Sequence, residues 1–204
     1  GALWRQADAP SIDEACRRVF STPVPIYFCP LRGGVRTYEL QDGDATLYPE
    51  YRVRANLDYA VNGGEAGISP GNGVFGGRLY ENRKPYRVNR LVTEAGFTDG
   101  LSNTLLGAEA RLTPDKYARG AWETYATPSG VRFCTFATKP LLPVPDRESR
   151  PDWEGNSHFG GPHPGRMPGV FVDGHLRPIS YSISEQTWMN LCRRNDGNFV
   201  GDDY

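Results

Sequence analysis

Glycine and proline constrain this chain more than any other feature. It holds 24 glycines and 17 prolines in 204 residues, about a fifth of the total, where about an eighth is usual. Proline breaks helix interiors and central strands, and glycine weakens both. The chain must therefore turn often, which excludes a long-helix bundle or a coiled coil. Hydrophobic residues make up 38%, enough for a sizeable core in one domain, so disorder throughout is excluded too. The expectation is an α+β fold: an antiparallel β-sheet with short helices and long loops, as a single domain over 1–204.

Charge narrows the function classes. The formal net charge is -1, which gives no electrostatic reason for nucleic acid or an anionic membrane as partner. No run approaches the ~18 apolar residues of a membrane span, and no signal segment opens the chain. The start Gly1-Ala2-Leu3-Trp4, without Met, reads as processed or shortened. Cys16, Cys29, Cys134 and Cys192 are widely spaced with no CxxC, against a zinc ribbon or a thioredoxin-like motif. Four cysteines allow three full pairings, and free buried thiols are the alternative.

Two short helices are legible. Ser11 and Glu14 make a capping-box pattern, followed by a stripe of Ile12, Ala15, Cys16, Val19 and Phe20. This predicts a helix over 12–20 that stops before Pro23. The second covers 185–193, with Ser184 as N-cap, Ile183 stapling onto Trp188, and Leu191 and Cys192 facing inward. Between them lie strand candidates: Val24 to Phe28 as an edge or terminal strand, Leu57 to Val61, Thr104 to Glu109, and Arg132 to Thr138. The run 170–177 reads as a hairpin around a two-residue Asp173-Gly174 link. Residues 62–90, glycine-rich at their start, and the proline-rich 139–157 read as surface excursions.

Several clusters carry potential chemistry. His158, His163 and His175 fall within eighteen residues, beside Asp173. Imidazoles with a carboxylate suit Zn²⁺, but the prolines and glycines there forbid a helical HExxH site. The plainer reading has His163 and Asp173 tying the loop 155–168 to the hairpin. The tail from Asp196 to Asp203 is rich in oxygen ligands for a hard cation such as Ca²⁺, with Asp196 and Asp202 as candidates, but lacks EF-hand spacing. The glycines of 71–77 are not followed by Lys-Ser/Thr, so no phosphate loop is present. No Gly-x-Ser-x-Gly elbow supports serine catalysis.

Four ordered segments then carry a family resemblance. Asn156 to Gly165 followed by Val170 to Gly174 makes a His-x9-Asp-Gly motif, His163 to Asp173. Thr22 to Pro30 ends in Cys29-Pro30, Phe97 to Glu109 contains Asp99-Gly100-Leu101-Ser102-Asn103-Thr104, and Ile179 to Gly197 closes the series. Together these resemble domain of unknown function 1559, a bacterial family whose members look like type II secretion pseudopilins. Leu31 and His175 depart from it, standing where Ser is common in the family.

The resemblance implies a pilin-like globular part that lacks an N-terminal leader and apolar helix. It also implies an extracytoplasmic, envelope-anchored location and other pseudopilin-like subunits or secretion components as partners. The expected role is structural and non-enzymatic, with no cofactor. The rival readings are a binding module for glycan, peptide or Ca²⁺, and a metal-dependent hydrolase on His158, His163 and His175. The motif residues Asp99, Gly100, Ser102, Asn103, His163, Asp173 and Gly174 are all of types that hold irregular backbone.

Overall fold

Every regular element is short, as the glycine and proline content requires. The computed structural model describes residues 5, 8–39, 53–55, 57–65, 71–74, 80–81, 84–85, 92–117, 131–132, 134–136, 139–148 and 158–204. Residues 66–70, 75–79, 86–91 and 149–157, which hold much of the two expected excursions, lie outside them. The chain divides into two compact units, Gly1–Asp58 with Pro114–Pro128, and Tyr59–Thr113 with Ser129–Tyr204.

In the first unit, α1 spans Ile12–Ser21. The Ser11 hydroxyl accepts the Glu14 N–H at 3.2 Å. Only half of the capping box forms, because the Glu14 carboxylate turns instead to Arg18 at 2.9 Å and Arg17 at 3.2 Å. The apolar stripe is half-buried, and its first member, Ile12, is 82% exposed. Strands β1 (Thr37–Glu39) and β2 (Val53–Ala55) pair antiparallel.

Val24 to Phe28 is neither an edge nor a terminal strand. Pro25–Tyr27 and Pro30–Arg32 form 3-10 turns, each opening on a proline. The fixed proline φ suits the first helical position, and three prolines in eight residues leave too few donors for a ladder. Cys29-Pro30 is held by Asp58, whose buried carboxylate accepts the Cys29 N–H at 2.7 Å and meets Arg36 at 2.5 Å and Arg32 at 3.4 Å.

The second unit contains β3 (Tyr59–Asn62), β4 (Tyr80–Glu81), β5 (Lys84–Pro85), β6 (Leu105–Glu109), β7 (Val131–Arg132), β8 (Thr135–Phe136), β9 (Lys139–Pro140), β10 (Arg166–Phe171), β11 (Leu176–Ser180) and α2 (Glu185–Cys192). The main sheet runs β11-β10-β6-β3-β7. Its first four strands are antiparallel, and β7 joins β3 in parallel. The α+β expectation holds. Of the described residues of the expected strand 132–138, Arg132 belongs to β7 and Thr135–Phe136 form β8, in different sheets.

One face of the main sheet builds the core. Leu105, Ala108, Met167, Phe171 and Ile179 are buried with Trp188, Leu191 and Cys192 of α2. Phe159 meets Trp188 edge to face, 5.6 Å between centroids and 74° between planes. As expected, Ser184 caps α2 by accepting the Thr187 N–H, and Ile183 is buried in the same cluster as Trp188. The α2 C-cap N–H, from Arg193, bonds the Met189 carbonyl.

Residues 141–146 correct the reading of 139–157 as a surface excursion. Leu141, Val144 and Asp146 are buried. Val144 N–H bonds Phe159 O at 3.0 Å, Asp146 N–H bonds Gly161 O at 3.0 Å, and the Asp146 carboxylate accepts Leu112 N–H at 3.0 Å. The prolines set an extended path that pairs with neighbouring backbone from its remaining donors, so the segment becomes an inner layer.

Candidate functional site

Asp99 is the anchor of the first Asp-Gly corner. Its Oδ2 accepts the Asp196 N–H at 2.8 Å and its Oδ1 the Gly197 N–H at 2.9 Å. Gly100 sits at φ 97°, where a side chain would be strained. Asn103 Nδ2 donates to the Asp99 carbonyl at 2.9 Å, and Thr104 Oγ1 to the Gly100 carbonyl at 3.0 Å. Ser102, expected to share this work, is exposed; Asn103 and Thr104 make the bonds.

The second corner leans on the first. Asp173 N–H donates to Leu101 O at 3.3 Å and Val172 N–H to Thr104 O at 3.0 Å. The hairpin link is longer than the two residues expected. Gly174 N–H bonds Phe171 O at 2.9 Å, and Phe171 N–H bonds His175 O at 3.0 Å, which leaves Val172, Asp173 and Gly174 as the loop. Such three-residue loops pair a tight turn with a left-handed glycine, and Gly174 has φ 90°. The Asp173 carboxylate bonds locally, to the His175 N–H at 3.1 Å and to His175 Nδ1 at 2.6 Å. Those bonds, the backbone N–H of His175 first, hold its pKa below the ordinary value. The His175 ring stacks on Phe171, centroids 4.3 Å apart.

His163, expected to help tie the loop 155–168 to the hairpin, meets a carboxylate of the sheet. Its Nε2 lies 3.2 Å from Oε1 of Glu109, a fully buried carboxylate at the end of β6. Gly161 is required there, because a Cβ at that position would overlap the Glu109 carboxylate. The Tyr181 hydroxyl accepts the Gly161 N–H and donates to the Gly161 carbonyl, both at 3.0 Å. His158 is buried, its Nδ1 donating to the Leu142 carbonyl at 2.5 Å. The three histidines thus turn to three partners: Leu142, Glu109 and Asp173.

The acidic tail is also engaged in bracing. Asp196 accepts the Asn198 N–H at 2.9 Å and meets Arg193 at 3.3 Å. Asp203 accepts the Ser184 N–H at 2.7 Å, at the start of α2, while Asp202 is exposed.

Two residues central to this arrangement, Asn62 and Glu65, belong to no motif read from the sequence. Buried Asn62 donates from Nδ2 to Leu105 O and Cys192 O, both at 2.8 Å, and accepts the Gly64 N–H at 2.8 Å. Glu65 takes Arg193 in a two-pronged pair at 2.8 and 3.0 Å. The Arg193 guanidinium holds the Glu65 carboxyl below its usual range, and Glu65 in turn raises the Arg193 pKa. Leu105, Cys192 and Arg193 lie more than forty residues from these side chains, so no window of sequence shows those bonds.

The sheet's other face differs from the core face. The register aligns Leu176, Val170, Gly107 and Val61 in one row across four strands. Pro168 and Pro178 stand opposite one another beside it. Leu176 is 76% exposed, Pro168 and Pro178 are exposed, and Val170 and Val61 are half-buried. An open groove of about 430 Å³ follows this hairpin, lined by His163, Arg166, Leu176 and Arg177 among others. Arg177 stacks on Tyr204, 4.1 Å from the ring centroid.

An α+β fold of short elements, with Asp99 bridging distant main chain, defines the class. The chain belongs to the family described as protein of unknown function (DUF1559), whose model matches residues 2–186. No curated protein and no solved structure matches. Among the described residues, no helix is long and apolar enough to cross a membrane.

Proposed function

We propose that this chain is a non-enzymatic, extracytoplasmic assembly domain of the pseudopilin-like kind, held at the cell envelope by a long apolar helix. One observation carries the reading: the unequal faces of the main sheet. The inner face is filled by α2, whereas the outer row of Leu176, Val170, Gly107 and Val61 is apolar, exposed at Leu176 and half-buried at Val170 and Val61. Exposed apolar rows of this kind mark contact surfaces. An apolar helix laid across the row suits it, with pseudopilin-like subunits or secretion components as further partners.

The motif chemistry supports a scaffold. A hydrolase built on His158, His163 and His175 needs imidazoles converging on one ion, and these three turn to separate partners. A second reading, an envelope binding module, draws on the hairpin groove that Arg166 and Leu176 both line. Binding to arrayed acidic glycans that Arg166→Ala abolishes would favour it.

The test uses the complete gene in its natural host, with a photo-reactive residue at Leu176 and a control at exposed Glu185. The expected result is a membrane-fraction adduct from position 176 alone, to an apolar helix or a pseudopilin-like subunit. Recovery of the protein in the cytoplasm, or equal adducts from both positions, overturns the reading.

A further inference from the structure

Cys134 and Cys192 are far apart in sequence but meet at one short piece of backbone. Cys134, between β7 and β8, donates its N–H to Gly64 O at 2.8 Å and accepts the Leu141 N–H at 2.7 Å. Cys192, the last residue of α2, has its carbonyl held by Asn62 Nδ2 at 2.8 Å. Asn62 and Gly64 are themselves joined, side chain to N–H, at 2.8 Å. Both cysteines are fully buried free thiols in the same core cluster, and Cys134 is near enough to help raise the Cys192 pKa.

We propose that Cys134 and Cys192 form a disulfide that ties α2 to the β7–β8 segment. The pair selects one of the pairings that spacing leaves open. Such a bond closes a long loop, which constrains the unfolded chain strongly. It joins the helix that supplies Trp188 to a segment whose own strands are only two residues long.

The chemistry balances with a disulfide oxidant of the glutathione class. One cysteine thiolate attacks the oxidant sulfur, releasing one small thiol and leaving a mixed disulfide. The second cysteine thiolate then displaces the other half as a thiol. Two protein thiols lose two protons and two electrons, and the oxidant disulfide is reduced to two thiols. Burial pushes the Cys192 thiol well above its ordinary pKa, so attack from the closed core is slow. The bond therefore forms while the chain folds, and the finished core shields it from reductants.

The full chain is unfolded with reductant and refolded by dilution into a glutathione buffer rich in the oxidised form. Remaining thiols are then alkylated in denaturant and the digest is mapped by mass spectrometry. The expected result is a peptide pair linked through Cys134 and Cys192, with Cys16 and Cys29 alkylated. Unfolding should shift up by roughly 5–15 °C relative to the reduced protein. The variant carrying Cys16→Ala and Cys29→Ala should keep that shift, while Cys134→Ala should abolish it. Recovery of Cys134 and Cys192 as alkylated thiols, or linkage of either to Cys16 or Cys29, overturns the proposal. The wild-type peptide map decides even if Cys134→Ala fails to fold.

Discussion

The Asp99 carboxylate receives the backbone N–H groups of Asp196 and Gly197, nearly a hundred residues away, one on each oxygen. A side chain of the first Asp-Gly corner thereby closes the last one, with the Asp173-Gly174 hairpin bonded to the segment between Leu101 and Thr104. Three corners form a single buttress, and each uses carboxylate or carbonyl oxygen to satisfy donors that have no ladder partner.

Removing the anchor should therefore act at a distance. Asp99→Ala is expected to cost about 1–3 kcal/mol, since it orphans two donors of a charge-assisted pair. Hydrogen exchange should rise at Asp196 and Gly197 and spare β10. Thermal unfolding with residue-resolved exchange checks both.

Acid should reach the unit through Glu65. The Arg193 guanidinium holds its folded pKa below the ordinary value of 4.5, so its stabilisation is present above 4.5 and is lost as pH falls through the lower folded value. The unfolding temperature should drop over that window. Glu65→Gln should flatten that part of the profile and lower stability near neutral pH.

Gly161→Ala tests the close approach to Glu109. Overlap with a fully buried carboxylate should cost about 1–3 kcal/mol, measured by denaturant unfolding. Gly165 has open space around it, so Gly165→Asn, a residue tolerant of left-handed backbone, should cost under about 1 kcal/mol.

The two sheet faces should respond oppositely to truncation. Leu191→Ala, at 0% exposure, should cost about 2–5 kcal/mol. Leu176→Ser, at 76% exposure, should change stability by no more than about 0.5 kcal/mol while lowering envelope association of the complete protein.

What sequence made legible was local. Ser11, Ser184 and the apolar periodicities specified both helices to within a residue or so, because caps and stripes act over one or two turns. Asp173-Gly174 located the hairpin, although Gly174 alone, in a three-residue loop, makes the turn. Val24 to Phe28 misled because apolar composition suits a strand, while the spacing of Pro23, Pro25 and Pro30 decides for 3-10 turns. Residues 141–146 misled because proline-rich chain is also good inner-layer chain when its carbonyls and remaining N–H groups find partners. His163 was flagged, but its partner Glu109 was not. Their bond spans 54 positions and depends on Gly161 admitting a carboxylate, which only the folded packing reveals.

The central claim is that His163 and Asp173, the ends of the family-like motif, are independent braces with separate partners. A double-mutant cycle tests it directly: denaturant unfolding of His163→Ala, Asp173→Ala and the pair. Independent braces predict that the two losses add to within about 0.5 kcal/mol. A coupling energy well beyond that, between residues bonded to Glu109 and His175 respectively, would mean a shared site and would contradict the account.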